Sequence, residues 1–283
     1  MKKVTKNKLK LCSALLLASL FSTQAADVSY SDNGKNYSVS NEVTENFTAS
    51  STAVFYVDGK GQRIGTNNLP LNGPIEVSTV NTPFGPAIQK TAHYGSDNAP
   101  FKYTLVLKQL KDLNAFTVQG FFHNHSNKDV KLLTIELFDS NKHAGGSLNL
   151  ANPENWLITP LMQHDHAKTL AEMKGSFKEA GLFVNKKTNS SFLVGPTGPA
   201  EAHCRVEVRD NAIKAYAEMD RVLVSPGETR RSEEMAFIFE DPKTSTDIWT
   251  RWVAVTHKAR NTKGPVYGWC SWYDRTTKID EKH

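Results

Sequence analysis

Apolar and polar residues alternate along most of the chain, as they do in β-strands that are buried on one face. In the clearest runs the apolar members stand two residues apart: Tyr103, Leu105 and Leu107; Phe116, Val118, Gly120 and Phe122; Leu133, Ile135 and Leu137; Cys204, Val206 and Val208; and Met235, Phe237 and Phe239. Residues 27–68 are rich in Ser, Asn, Thr and Gly, with short runs such as Ala53–Val57. The pattern predicts many short strands joined by polar turns.

Turn-forming dipeptides interrupt these runs at short intervals: Asp58-Gly59, Ser126-Asn127, Gly145-Gly146, Gly195-Pro196 and Pro226-Gly227. Many short strands with little helix between them are typical of an antiparallel β-sandwich. We therefore expect a mainly β fold, with one large sandwich domain over residues 26–240. A single weak helix is predicted inside it, near His164–Lys174.

The hydrophobic period changes after residue 240. Ile248, Trp252 and Val255 are spaced by four and three residues, which indicates one face of an amphipathic helix. The spacing predicts a helix over about residues 244–258, within a linker of residues 241–263.

Residues 264–283 show a different pattern. The run Val266–Asp274 is apolar and aromatic on both faces, as in a strand that is buried on both sides. Such a strand is typical of parallel sheets and needs partner strands. We therefore expect this sequence to be part of a longer protein.

The N-terminus accounts for the net charge of the chain. The 283 residues include 34 basic and 29 acidic side chains, which gives a formal net charge of +5. Five lysines and no acidic residue lie within residues 1–25, so the remainder is electrically balanced. A neutral body gives no electrostatic reason to expect a nucleic-acid partner.

Those lysines precede the apolar run Leu11–Phe21 and small residues near Ala25, the layout of a secretory signal peptide. We expect residues 1–25 to be removed after Ala25 or Ala26, and the protein to be exported to the periplasm or secreted. No other segment approaches the roughly 18 apolar residues that span a bilayer, so no membrane partner is expected.

Histidine pairs are the first candidates for chemistry. His123/His125 and His164/His166 are two His-x-His pairs, and each pair could supply two metal ligands from one strand face. His203 and His93 are further candidates, but no third ligand is fixed by spacing. We therefore expect no metal, and the absence of nucleotide-binding glycine motifs leads us to expect no cofactor.

The adjacent carboxylates Glu233 and Glu234 are the second candidates. Together with Asp139 they could suggest an acid/base pair. Glu233 and Glu234 follow Arg230-Arg231, however, so a solvated charge cluster is the simpler interpretation. Cys204 and Cys270, the cysteines outside the signal segment, are interpreted as buried free thiols.

The tryptophans fall into two groups. Trp249 and Trp252 lie on the apolar face of the predicted helix and are expected in the core. Trp269 and Trp272 lie on the last predicted strand, which ends at Asp274. Their rings could present flat platforms to the apolar faces of a sugar.

The segment Gly264-Pro265-Val266-Tyr267-Gly268-Trp269-Cys270-Ser271-Trp272-Tyr273 resembles the opening of the catalytic barrel in α-galactosidases (melibiases) of glycoside hydrolase family 36. In that family a Gly-Trp-x-Ser-Trp segment forms the first barrel strand, after a large β-sandwich and a linking helix. Two further segments are similar to the family's sandwich strands: Val224–Glu228 followed by Ser232-Glu233, and Asn124-His125-Ser126.

The resemblance implies an architecture and an activity. It implies a sandwich, a linker helix and, in residues 264–283, the first strand of a truncated (β/α)8 barrel. The substrate would be an α-galactoside oligosaccharide or polysaccharide, hydrolysed with retention, and the site residues within this sequence would be Trp269, Trp272 and Asp274. The two catalytic carboxylates would lie on later barrel strands, beyond His283, so the fragment alone is expected to be inactive.

Several alternatives stay open. A secreted, non-catalytic carbohydrate-binding sandwich is the main alternative to the hydrolase, and an exported metal-binding protein is a third. Within the hydrolase hypothesis, α-galactosidase, α-N-acetylgalactosaminidase and a transferase acting on raffinose-type sugars are not separated by these residues. A homo-oligomer is also compatible with the sequence.

Overall fold

The computed structural model of the chain describes residues 26–31, 36–41, 43–57, 63–147, 150, 152–161, 167–198 and 202–259. These residues form two antiparallel β-sheets that enclose a common core, and one α-helix covers part of the outer face of the second sheet. The predicted mainly β sandwich is confirmed. The predicted signal peptide and the predicted strand Val266–Asp274 lie outside the described residues.

The first nine strands are β1 (Asp27–Tyr30), β2 (Asn36–Asn41), β3 (Glu45–Val57), β4 (Arg63–Gly65), β5 (Glu76–Thr82), β6 (Gly85–Tyr94), β7 (Phe101–Leu110), β8 (Ala115–Asn124) and β9 (Val130–Asp139). The next nine are β10 (Trp156–Pro160), β11 (Lys168–Thr169), β12 (Gly175–Lys178), β13 (Gly181–Asn185), β14 (Ser191–Pro196), β15 (His203–Arg209), β16 (Ala212–Val224), β17 (Thr229–Arg231) and β18 (Met235–Ile238). The helix is α1 (Pro242–Thr256). Short 3-10 turns lie at Thr66–Asn68, Lys142–Ala144 and Pro153–Asn155.

Each sheet combines strands from distant parts of the chain. Sheet A has eight strands in the order β1-β2-β3-β9-β16-β15-β12, with β4 paired to the far part of β3. Sheet B has ten strands in the order β11-β10-β13-β14-β18-β8-β7-β6-β5, with β17 paired to β8. Neighbouring strands in both sheets are antiparallel, as expected for a sandwich.

The core lies between the two sheets, where the predicted alternation places it. The apolar members of the runs in β7, β8, β15 and β18 are no more than 2% exposed. Its centre is aromatic. The Phe116 and Phe237 rings stack with their centres 4.7 Å apart, and the centre of the Phe138 ring lies 4.8 Å from that of Phe237. Stacked and edge-on rings of this kind add to the energy of apolar burial.

Strand β9 departs from the predicted alternation. Leu132 and Phe138 are fully buried, whereas Leu133 is only half-buried. The pairing of β9 with β3 slips by one residue at Leu133 and again at Leu137, so each slip inserts one extra residue into β9. A β-bulge reverses the faces of the residues that follow it, which explains the error.

Helix α1 covers the outer face of β14 and β18. The Asp241 side chain accepts hydrogen bonds from the backbone N–H groups of Lys243 and Thr244, and Pro242 occupies the first helical turn. The helix therefore begins and ends two residues earlier than predicted. Trp249 and Trp252 are 9% and 2% exposed, as expected for its core-facing side.

The weak helix predicted near His164–Lys174 does not form in its described part, residues 167–174. Strand β11 pairs with β10 there, and a single turn follows in which the Met173 N–H donates to the Thr169 carbonyl at 2.9 Å. The Thr169 hydroxyl also donates to the Glu172 carboxylate at 2.7 Å. Local side-chain bonds of this kind compete with helix formation, so the turn stays isolated.

Candidate functional site

A large cleft with a mixed polar and apolar lining lies on the outer face of sheet A, away from the core. Its volume is about 810 Å³, within the usual range for small-molecule sites. Its floor is formed by β3, β9 and β16, and its walls by residues 63–68, by residues 141–145 and by the end of β15. Of its lining residues, Asp139 was a candidate from the sequence, as part of a possible acid/base pair.

The second bulge of β9 places two carboxylates in this cleft. In a regular strand Glu136 and Asp139, three residues apart, would lie on opposite faces. Here Leu137 and Phe138 are both buried in the core, so Glu136 and Asp139 both line the cleft. An adjacent apolar pair inside an alternating run, flanked by acidic residues, is the signal that could have revealed this site.

Two cations hold the Glu136 carboxylate, which is only 8% exposed. Lys214 Nζ lies 2.7 Å from Glu136 Oε1, and Arg63 Nη2 lies 3.5 Å from the same oxygen. The Lys214 ammonium also lies 5.5 Å from the centre of the Tyr216 ring. Burial and the nearby Glu207 carboxylate raise the pKa of Tyr216, so its hydroxyl stays protonated at neutral pH.

The wall of residues 63–68 is fixed to strand β3. The Thr66 hydroxyl accepts from the Ala53 N–H at 2.9 Å and lies 3.1 Å from the Thr52 hydroxyl. Strand β4 pairs with β3 through the register of Val54 with Gly65. The exposed side chain of Arg63 is thereby held over the cleft.

The opposite wall, residues 141–145, is held by one hydrogen bond within the turn and one to strand β2. The Asn141 side chain accepts from the His143 N–H at 2.9 Å, and the Asn36 amide donates to the Gly145 carbonyl at 2.8 Å. At Gly146, which follows this wall, a Cβ would lie 2.5 Å from the Ser140 backbone, so only glycine allows this close approach. Both walls are therefore rigidly positioned.

A smaller cavity of about 220 Å³ lies near the C-terminal end of α1. It contains Glu233 and Glu234, for which a solvated charge cluster was the simpler interpretation. That interpretation is wrong: Glu233 is 7% exposed and accepts a 2.6 Å hydrogen bond from the Ala202 N–H. Glu234 is paired with Lys108 at 2.9 Å.

Cys204 lies beside Glu233, with its sulfur 3.8 Å from a carboxylate oxygen. It is a buried free thiol, as expected. Burial raises the pKa of the Cys204 thiol well above its ordinary value, and the Glu233 charge raises it further. A thiol in this setting is not a nucleophile, because the thiolate is the reactive form.

The predicted histidine candidates on sheet B form part of a hydrogen-bonded row. His93 Nδ1 lies 3.0 Å from the Thr104 hydroxyl, which lies 3.1 Å from His123 Nε2. His123 Nδ1 lies 2.9 Å from the Thr229 hydroxyl. Both ring nitrogens of His123 therefore already have partners.

These contacts do not build a metal centre. The rings of His123 and His125 lie 6.2 Å apart. Within the described ranges, no group of three or more His, Cys, Asp or Glu side chains is arranged to hold a metal ion. His164 and His166 lie outside the described residues.

We expect the His123 environment to make stability depend on pH. Burial, then His125, His93 and Lys102, lower the pKa of His123 below its ordinary value of 6.5. The unfolded chain therefore binds the proton at a higher pH than the folded chain does. The contribution of neutral His123 to the free energy of unfolding is complete above pH 6.5 and decreases as the pH falls below 6.5. The free energy of unfolding, measured by urea titration at several pH values, should show this loss.

The matched variants are His123→Gln and His257→Gln, since His257 is exposed on the C-terminal side of α1. His123→Gln should flatten the pH dependence below 6.5, and His257→Gln controls for the loss of a histidine at an exposed position. Equal slopes in the wild type and His123→Gln would contradict this assignment.

Comparison with known proteins supports a fold and no closer relationship. No protein-family model and no curated protein matches the sequence. The GH36 α-galactosidase AgaB from Geobacillus stearothermophilus matches the structure with a TM-score of 0.51 at 11% identity, over 76% of this chain. An α-galactosidase from Lactobacillus brevis matches with a TM-score of 0.50 at 9% identity, over 77% of this chain.

The chain has the fold of part of an α-galactosidase. It covers 41% of the G. stearothermophilus structure and 39% of the L. brevis structure, so the shared fold is less than half of either α-galactosidase. The expected resemblance in architecture is confirmed at this level. Identities this low do not transfer individual residues.

The residues predicted to contact sugar lie beyond the part of the chain that the structure describes. Trp269, Trp272 and Asp274 lie outside the described residues, which end at Ala259, just beyond α1. Their role stays a prediction. Within the described ranges, no helix combines the length and the apolar character needed to cross a lipid bilayer.

Proposed function

We propose that this chain is the sandwich portion of an α-galactosidase-type glycoside hydrolase, which cleaves terminal α-galactosidic bonds with retention. The observation that carries the proposal is the fold match to two α-galactosidases over about three quarters of the chain. The order of elements supports it, because the sandwich is followed by α1 and then by the Gly-Trp-x-Ser-Trp segment at Gly268–Trp272.

In this proposal residues 264–283 begin the catalytic barrel. Barrel enzymes place their sites at the C-terminal ends of the strands. Trp269, Trp272 and Asp274 would therefore stand at the mouth of the first strand, where Trp272 walls the sugar pocket. Stacking of a flat ring on the apolar face of galactose, with a carboxylate accepting from its hydroxyls, suits a neutral sugar.

Catalysis is assigned to residues outside positions 1–283. Retaining hydrolysis needs two carboxylates about 5–5.5 Å apart, one as nucleophile and the other as acid and then base. Both belong to later barrel strands in this proposal. The sandwich and α1 would support the barrel, and no cofactor or metal takes part.

The experiment compares two chains on a chromogenic α-galactoside. One is the 283-residue chain, and the other continues through the downstream reading frame to its stop codon. We expect turnover by the longer chain alone. Turnover by the 283-residue chain that is abolished by changing one of its own Asp or Glu residues would overturn the proposal, as would a downstream frame without βα units.

Trp272→Ala in the longer chain tests the sugar pocket. Because Trp272 would stack on the substrate, we expect kcat/KM to fall about tenfold or more, which corresponds to about 1.4 kcal/mol of transition-state binding. The melting temperature should change little. A folded Trp272→Ala variant with unchanged kcat/KM would remove Trp272 from the site.

We also propose that the protein is exported after removal of residues 1–25. The supporting observation is the lysine-rich start followed by the apolar run Leu11–Phe21. N-terminal sequencing of the protein from its native host tests this. A mature chain that begins at Asp27 or Ala26 is expected, and an intact Met1 would contradict it.

A further inference from the structure

We infer that the cleft on the outer face of sheet A is a binding site for a neutral saccharide. The cleft is defined by Arg63, Glu136, Asp139, Arg209 and Lys214 together with the residues around them. Its volume of about 810 Å³ accommodates a short oligosaccharide.

The charge of the lining selects the class of ligand. Three cations line the cleft, namely Arg63, Arg209 and Lys214, and so do three carboxylates, namely Glu136, Asp139 and Glu207. The two sets balance, so neither an anion such as phosphate nor a cation is favoured. A neutral ligand that both donates and accepts hydrogen bonds fits this lining best.

The wall chemistry is mixed, with polar and apolar surface in nearly equal shares. Beside the charged groups, the polar share includes amides and hydroxyls of Asn36, Ser50, Thr52, Asn67, Asn68 and Asn141. Val54, Ala144 and Ala212 belong to the apolar share, and a sugar ring presents both hydroxyl groups and apolar faces to such a lining. Planar amides and carboxylates can each bind two neighbouring hydroxyl groups, which is the recurring feature of a sugar ring.

Some carboxylate oxygens in the cleft accept no hydrogen bond from the described part of the protein. In the described part of the chain, the contacts of the Glu136 carboxylate are made through Oε1, to Lys214, Arg63 and Thr134. Oε2 can therefore accept from a ligand hydroxyl. Asp139 likewise accepts from the Asn141 N–H through Oδ1 alone, at 2.9 Å.

The cleft is also organised before a ligand arrives. The Lys214 ammonium is fixed between the Glu136 carboxylate and the Tyr216 ring, and both walls are tied to the sheet by the bonds described above. Groups that are already ordered lose little entropy on binding, which raises affinity.

The test is calorimetric titration of the full 283-residue chain with a panel of neutral oligosaccharides, namely stachyose, maltotetraose, cellotetraose and xylotetraose, and with inorganic phosphate. We expect at least one oligosaccharide to bind and phosphate not to bind. Binding by phosphate alone, or by none of the probes at millimolar concentration, would overturn the inference.

Variants locate the site. Glu136→Gln should weaken oligosaccharide binding about tenfold or more, because a charge-assisted acceptor is lost. Arg63→Gln, at a residue whose side chain is 60% exposed, should also weaken it, and it keeps the test valid if Glu136→Gln folds poorly. Circular dichroism establishes the fold of each variant.

Glu234→Gln is the matched control, since Glu234 is paired with Lys108 on the other sheet much as Glu136 is paired with Lys214. Val77→Ala is the second control, because Val77 is 66% exposed on β5, an edge strand of sheet B. Both should bind oligosaccharide like the wild type. Loss of binding in either control, with Glu136→Gln unaffected, would refute the cleft as the site.

Discussion

Trp252→Ala should lower the free energy of unfolding by about 3–5 kcal/mol, the usual cost of truncating a fully buried tryptophan. Trp252 is 2% exposed, and its ring lies 5.1 Å from the Phe84 ring, so the variant leaves a cavity between α1 and sheet B. Truncation also removes apolar contact with the part of the core beneath the helix. Urea denaturation followed by circular dichroism measures the change.

Val255→Ala is the control for this prediction. Val255 lies on the same helix, three residues after Trp252, but is 57% exposed. Its truncation should change the free energy of unfolding by no more than about 0.5 kcal/mol. A loss below about 1 kcal/mol for Trp252→Ala would show that α1 does not contribute to the stability of the sandwich.

Phe237→Ala should destabilise the sandwich by a similar amount, about 3–5 kcal/mol. Phe237 lies on β18, is 1% exposed, and contacts Phe116 at 4.7 Å and Phe138 at 4.8 Å. These rings come from both sheets, so the cavity would lie between the two layers. Thermal and urea unfolding should both show the loss.

Two variants bracket the Phe237 prediction. Phe237→Leu keeps much of the apolar volume and should cost clearly less than Phe237→Ala. Val77 lies on edge strand β5 and is 66% exposed. Val77→Ala should therefore change the free energy of unfolding by no more than about 0.5 kcal/mol. Equal costs for Phe237→Leu and Phe237→Ala would mean that shape, and not buried volume, dominates at this position.

Most of the core could be predicted from the sequence, because alternation directly reports burial on one face of a strand. Residues such as Leu105, Val118 and Val206 are buried where the period of two places them. The prediction failed in β9, where bulges at Leu133 and Leu137 depend on both neighbouring strands. No local pattern of β9 alone contains that information.

The Leu137-Phe138 pair signals the two carboxylates of the cleft, but its full lining could not be predicted, for a related reason. Its residues come from β2, β3, β4, β9, β15 and β16 and from the turn at residues 141–145, which the strand order brings together. Asn36 and Lys214 line the same cleft although 178 positions separate their numbers. The predicted sugar contacts Trp269, Trp272 and Asp274 were identified from a motif and not from the alternation of apolar and polar residues.

The interleaved strand order has a consequence for how the chain folds. Strand β9 pairs with β3 and β16, and β8 pairs with β17 and β18, so several central ladders join segments that are far apart along the chain. Such long-range pairing makes folding slow, because large loops must close before the contacts form. During synthesis β8 must wait for β18, more than a hundred residues later, and its open edge needs protection from other chains until then.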